Sequence, residues 1–311
     1  MSDLSRTPQH RSNLLEMAAV MVTYRPDESV LDNIASFLAV YRFLVIVDNT
    51  EQKHSDDPLV SLDEDDAVVL IRNGKNTGIA TAINIGCSAA INHGATWITT
   101  FDQDSTLLAN YPAMITDYLK ALSIEDNSHT PEPIFGCTTV ERSDNPNSEI
   151  VTCDEMDFAP QNEVITSGMS FSSRTFADLR GFDDSFFIDF VDHDFCAKAR
   201  CANIPVVISE KAILAHELGN QSHHTIFGKR LTTTNHAAFR RYYRARNSIL
   251  YAKRYRKAFP ALVRKHLRLM IREQVMVLLF ERKKIQKTKA IVLGCIDGIR
   301  GKVGTVSVAN L

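Results

Sequence analysis

No uninterrupted apolar run in this sequence approaches the ~18 residues of a membrane span. The nearest candidate, residues 267–280, is broken by Arg268, Arg272 and Glu273. The opening MSDLSRTPQHRSNLLEM has no apolar core of signal-peptide length, so secretion is not expected. Six cysteines (87, 137, 153, 196, 201 and 295) form no CxxC pair and show no zinc-ligand spacing. They predict buried thiols in a reducing cytoplasm. Glycine-rich phosphate loops are missing as well: RNGKNTG, residues 72–78, is neither GxxxxGK[ST] nor GxGxxG. Without a backbone cradle, a bound diphosphate needs a cation. Internal repeats and low-complexity segments are also missing.

Acidic residues are scarce in one region only. Residues 240–311 hold 19 Lys and Arg against Glu273, Glu281 and Asp297, leaving 16 basic and 34 acidic residues before them. The two parts carry +16 and −18, although the chain as a whole carries −2. A basic tail on an acidic body predicts an anionic contact, either a phospholipid surface or the body itself. Self-association through the tail is the further alternative, and no nucleic-acid partner is expected.

At 311 residues, 44% hydrophobic and 23% charged, the chain suits one large α/β domain with an appendage. Residues 18–24 (AAVMVTY), 43–47 (FLVIV), 67–71 (AVVLI) and 97–101 (WITTF) read as strands buried on both faces of a parallel sheet. Helical stripes separate them. One runs through Val30, Ile34 and Phe37 with Asp27 placed to cap it; another, residues 77–92, ends at Gly94. The expected fold is therefore a doubly wound, mostly parallel α/β sheet, a Rossmann-like nucleotide-binding half. Residues 123–163 predict loops and a hairpin around SDNPNS. Strands are expected again at 164–171 and 205–208, with a helix over 192–203 between them. Residues 236–311 predict basic amphipathic helices. The organisation is thus a flexible 1–14, an α/β domain over 15–235 and a basic helical 236–311.

In such sheets ligands bind outside the carboxyl ends of the strands. There the sequence places Thr23-Tyr24-Arg25, then Asp48-Asn49, then Arg72 with Asn76, then Asp102-Gln103-Asp104. Asp102 and Asp104 in FDQDST could share one Mg²⁺ or Mn²⁺. Asp-x-Asp-x-Thr also matches the nucleophile motif of haloacid-dehalogenase-like phosphatases, with Asp102 phosphorylated and Asp183-Asp184 as the later acids. The plainest reading is a turn or helix cap. In GFDDSFFIDFVDHDFCAKAR, residues 181–200, Asp189, Asp192 and Asp194 crowd beside phenylalanines ahead of a helix, a setting that favours a general base. His216 closes the apolar run AILAH, and His223-His224 are expected in a loop.

Taken in order, Thr23-Tyr24, Asp48-Asn49, NTGIATAINIG, FDQDS, SGMSFSSRTF, GFDDSFFIDFVDHDFC and His216 resemble family 2 glycosyltransferases of the GT-A fold, closest in look to bacterial rhamnosyltransferases. The resemblance spans roughly residues 15–250. It implies an inverting, metal-dependent transfer from a nucleotide sugar, dTDP-L-rhamnose above others, to a glycan or lipid-linked glycan on the inner face of a membrane. Thr23, Tyr24, Arg25, Asp48, Asn49, Arg72, Asn76 and Asp102 would then bind the nucleotide sugar. Asp102, Asp104 and His216 would hold the metal, Asp192 would be the base, and Ser167, Gly168 and Asp189 would lie on the acceptor side. The family's Glu-Asp pair stands here as Val191-Asp192, so Asp189 is the candidate to replace the missing acid. A nucleotide-binding or membrane-docking module without catalysis is the non-enzymatic alternative.

Overall fold

The computed structural model describes residues 16–51, 57–108, 110–125, 131–141, 158–216, 222–226 and 229–306. Strands β1 (Met17–Thr23), β2 (Leu44–Asp48), β3 (Val68–Arg72) and β4 (Trp97–Asp102) form where the apolar runs predict them. They pair in parallel in the order β3-β2-β1-β4. β1 lies inside the sheet and is buried at every position. β3 departs from expectation: it is the sheet edge, and each of its residues is only partly buried.

Alternate residues of β1 enter two different cores. Ala18, Val20 and Val22 join Ile83 and Cys87 of α2 (Ile79–Asn92). Met17, Ala19 and Met21 join Ile34 and Phe37 of α1 (Val30–Leu38), together with Tyr111 and Ile115 of α3 (Tyr111–Glu125). A strand with this period-2 split must be covered on both faces, which produces the doubly wound arrangement. α2 sits so close to β1 that a Cβ on Gly86 would lie 2.4 Å from Val20 Cγ1, a separation that only glycine permits. Asp27 is not the cap of α1. Its carboxylate accepts from Ser29 N and Ser29 Oγ, and the helix begins one residue after that serine.

The sheet continues through β5 (Ser105–Leu107), β6 (Ile134–Glu141), β7 (Phe158–Pro160), β8 (Met169–Ser172) and β9 (Val206–His216), in the order β4-β8-β6-β9-β5 with β7 on β9. β8 is antiparallel to β4. The strand expected at 164–171 shortens to β8 because Gly168, at φ +81°, turns the chain just before it. The one expected at 205–208 extends to His216. SDNPNS and its hairpin lie outside the described residues. α4 (Ser173–Asp178) follows β8, and α5 (Val191–Cys201) fills the expected helix. His223-His224, expected in a loop, lie in β10 (Ser222–Ile226), which pairs with β11 (Lys229–Thr233).

α6 (Ala238–Tyr255), α7 (Pro260–Phe280) and α8 (Lys284–Arg300) complete the fold. α6 and α8 meet through glycines: a Cβ on Gly294 would lie 2.3 Å from the Tyr242 carbonyl oxygen, and one on Gly298 2.7 Å from that of Arg246. Among the described residues, no helix is long and apolar enough to cross a membrane.

Candidate active site

The predicted edge is in register. Thr23 pairs with Asp48 and Asp48 with Arg72, while Val22 pairs with Asp102, so the four strand ends form one row. Strand order reverses at β1, with β2 on one side and β4 on the other. A crevice opens at such a switch point. It is spanned by Tyr24 N, which donates to Gln103 Oε1 at 2.7 Å.

Short polar side chains stiffen this row. Asp48 Oδ1 accepts from Thr23 Oγ1 at 3.1 Å and Thr50 Oγ1 at 2.6 Å, all in buried surroundings. Asn49 Oδ1 accepts from Asn73 Nδ2 and Thr77 Oγ1, both at 2.9 Å, and its Nδ2 donates to the Gly78 carbonyl at 3.1 Å. Asn76 Oδ1 accepts from Gly78 N at 3.0 Å, closing the turn into α2. Tyr24 is exposed, its hydroxyl 2.9 Å from Glu51 and the Arg25 guanidinium over its ring, so an aromatic face lies at the mouth of the crevice. Arg72 does not join the row by its side chain. Its guanidinium pairs with Asp57 at 3.1 Å and Asp63 at 2.6 Å.

The FDQDST turn is braced from two sides. Asn33 of α1 donates to the Gln103 carbonyl at 2.8 Å and accepts from Thr106 Oγ1 at 2.6 Å. Ser167 Oγ lies 2.7 Å from Ser105 Oγ and accepts from Asp102 N at 3.3 Å, and Gly168 N donates to the Thr100 carbonyl at 2.8 Å. A Cβ on Gly168 would meet Cys137 Sγ at 2.1 Å. Ser167 and Gly168, assigned to the acceptor side, thus also buttress the carboxylate turn. β9 pairs His216 with Ser105, so the backbone of His216 lies beside this turn. The two carboxylates of this turn, Asp102 and Asp104, are oxygen donors of a kind that suits Mg²⁺ or Mn²⁺.

A second acidic group faces this edge from the loop before α5. Phe187, Asp189 and Phe190 all take positive φ (62°, 61° and 68°), a cost that surrounding contacts must offset. Phe187 O accepts from Ile79 N at 2.7 Å, tying the loop to the NTG turn. From α6, the buried Asn247 Nδ2 reaches the carbonyls of Phe186, Ile188 and Asp189 at 2.8–2.9 Å. Asp189 pairs with Arg240 at 3.2 Å and lies 3.9 Å from Arg244. Asp192 is half-buried in the first turn of α5, and its Oδ1 accepts from His193 N at 2.8 Å. Asp194 is fully buried instead. It binds Arg254 at 2.6 Å and Tyr255 at 2.8 Å, and burial raises its carboxyl above the usual range.

Arg240 connects the two acidic groups. The charge of Asp189 raises its guanidinium, and the negative charges of Asp102 and Asp192 add to that effect. Burial, reinforced by Arg240, lowers neighbouring His236 to about 4. Sequence reading placed Gln103 on this edge but missed Asn33, His236 and Arg240. The motif RYYRARN, residues 241–247, was the available signal, and Arg240 directly precedes it.

Known proteins resemble this chain in sequence and in fold. Residues 18–154 match the family model "Glycosyl transferase family 2". The dTDP-rhamnosyl transferase RfbF of Shigella flexneri is 28% identical over 296 residues, spanning 92% of this chain and 96% of that protein. A crystal structure of S. aureus TarS 1-349 superposes with a TM-score of 0.53 at 12% identity, covering 92% of this chain and 81% of that one. A longer S. aureus TarS structure gives 0.51 at 13% identity, covering 92% of this chain and 49% of that one. The chain is therefore a glycosyltransferase whose residues 18–154 match the family 2 model, on a GT-A-like fold.

Proposed function

We propose that this enzyme transfers a hexose, L-rhamnose from dTDP-L-rhamnose, to a glycan or lipid-linked glycan acceptor with inversion at the anomeric carbon. The observation that carries the reading is the in-register row Thr23, Asp48 and Asp102 at the β1/β4 switch point, with the loop that leads to Asp192 tied to the turn into α2 by the Ile79 N–Phe187 O bond. The donor follows the name of the Shigella flexneri relative, aligned along nearly all of both chains.

Tyr24 offers a face on which a base can stack, and Asp48 and Asn49 offer buried polar groups to its edge and ribose. A divalent ion held by Asp104, with Asp102 and His216 beside it, would neutralise charge on the departing diphosphate. Asp192 takes the proton of the acceptor hydroxyl as that oxygen attacks the anomeric carbon and the sugar–phosphate bond breaks. One displacement needs no enzyme nucleophile. Asp189 does not replace the missing acid as a base in this account, since its carboxylate is engaged by Arg240 and Arg244.

The phosphatase alternative loses its later acids. Asp183 caps a turn and pairs with Arg254 at 2.8 Å, and Asp184 accepts from Asn84 Nδ2 at 2.8 Å. The enzyme also works at a membrane surface in this proposal. α7 and α8 expose Ile271, Val275, Leu278, Leu279, Ile285 and Val292 beside exposed Arg268, Arg272, Lys283, Lys284 and Lys289. Such a face suits anionic lipid.

A thermal-unfolding screen tests the donor. In Mn²⁺, dTDP-L-rhamnose should raise the midpoint more than UDP- or GDP-sugars, because a ligand of the native state stabilises it. A shift given equally by every nucleotide sugar, or with excess chelator present, would refute the proposal.

A further inference from the structure

Behind Asp192 lies a cluster that the transfer reaction does not use. Glu163 precedes β8, His193 lies in the first turn of α5, and His266 comes from α7. Their ligand atoms all fall within 4.8 Å of one another. Glu163 and His266 are nearly buried, and His193 is about one-quarter exposed, 27% by side-chain area.

One contact of the cluster is not arranged as a hydrogen bond. One carboxylate oxygen, Glu163 Oε1, faces His266 Nε2 at 2.7 Å, His193 Nδ1 at 3.1 Å and Tyr251 OH at 3.4 Å. His193 Nδ1 is itself buried yet has no aligned hydrogen bond, despite that 3.1 Å approach. Its nitrogen lies near the oxygen but off the line an N–H would need. A lone pair directed at a shared ion removes this mismatch. Two imidazoles and one carboxylate are a ligand set typical of Zn²⁺, with a fourth position left for water. Bonds of about 2.0–2.1 Å would set tetrahedral ligands about 3.4 Å apart, so the 3.1 Å edge from Glu163 to His193 would open slightly and the 2.7 Å edge to His266 by well under 1 Å.

We propose that Glu163, His193 and His266 bind one divalent transition-metal ion, of the Zn²⁺ type, that clamps α7 onto the catalytic sheet. It is distinct in residues and in role from the ion expected at Asp104. Glu163 and His266 are 103 residues apart, so the ion closes a long loop. His193 follows Asp192 directly, so fixing the imidazole also fixes the first turn of α5 behind the base. The clamp is a positioning device and touches no substrate.

The test uses untagged full-length protein carrying Cys201→Ser, which removes the one exposed thiol among the described residues, stripped with chelator and dialysed. Titration calorimetry with ZnCl₂ should give one site of micromolar or tighter affinity, and Zn²⁺ should raise the unfolding midpoint. Glu163→Gln and His266→Gln should each weaken binding by about 100-fold or more, since even changes around metal ligands commonly cost 10–100-fold. Asp104→Asn should leave it unchanged. Co²⁺ added to the stripped parent protein should give a tetrahedral visible spectrum that Zn²⁺ abolishes, a readout independent of whether either glutamine variant folds. Absence of saturable Zn²⁺ binding, its survival in both glutamine variants, or its loss in Asp104→Asn would overturn the proposal.

Discussion

Asp189 and Asp192 stand three positions apart and are held for different purposes. Asp189 is anchored by two arginines, whereas Asp192 contacts only its neighbour's amide among the bonds described for it. Asp192→Asn keeps the shape and should leave folding and donor affinity intact while turnover falls roughly 10²–10⁴-fold, the usual contribution of a general base. Asp189→Asn should cost on the order of 1 kcal/mol, since Arg240 is substantially exposed, and should reduce turnover far less. Steady-state kinetics beside urea unfolding separates the two; the reverse ranking would move the base to Asp189. His236 gives a pH signature. Its folded pKa of about 4 lies below its ordinary 6.5, so the unfolded chain binds the extra proton first. Stability should therefore fall as pH drops from about 6.5 to about 4 and level off below. His236→Asn should flatten that part of the profile in urea midpoints measured across it. An unchanged slope would show that other groups set it.

At the scale of elements, the strands of the first half were legible because parallel strands buried on both faces carry near-continuous apolar runs, and the polar residues that follow them mark the edge. The later strands were legible only in part, with bounds that shifted. β8 is cut by the Gly168 turn, and three non-glycine residues with positive φ before α5 leave no local mark in sequence. Their support comes from Asn247 on α6, some 60 residues away, which no periodicity reveals. Asn247→Ala would leave buried carbonyls without their donor, at about 1–3 kcal/mol, and should lower turnover through the loop that carries Asp189 to Asp192. Wild-type turnover in this variant would show that the loop holds itself. Gly294→Ala forces α8 away from Tyr242, and overpacking of this kind costs about 1–3 kcal/mol. Denaturant unfolding reads that loss, and an unshifted midpoint would show that the α6–α8 contact yields.

For the whole molecule, the charge asymmetry proves to be internal as well as external. Glu273 and Glu281, two of the tail's three acids, bind Arg241, Arg244 and Lys287 inside the helical region, while Arg240 and Arg254 bind acids of the body. The +16 tail thus partly packs on the acidic body, as one reading of the sequence expected, and still turns a basic, apolar face of α7 and α8 outward. Each Lys or Arg near an anionic surface contributes about 1 kcal/mol and is screened by salt. Binding to phosphatidylglycerol vesicles should weaken steeply with salt and exceed binding to neutral ones; equal partition would leave this face to self-association. The catalytic claim itself is tested most directly by incubating the enzyme with dTDP-L-rhamnose and lipid-linked glycan acceptors, with Mn²⁺ or with excess chelator, and reading dTDP release and the product's anomeric configuration by NMR. The account predicts dTDP release that depends on both acceptor and metal, and a product anomer opposite to that of the donor. Retained configuration, or a full rate in chelator, would contradict it.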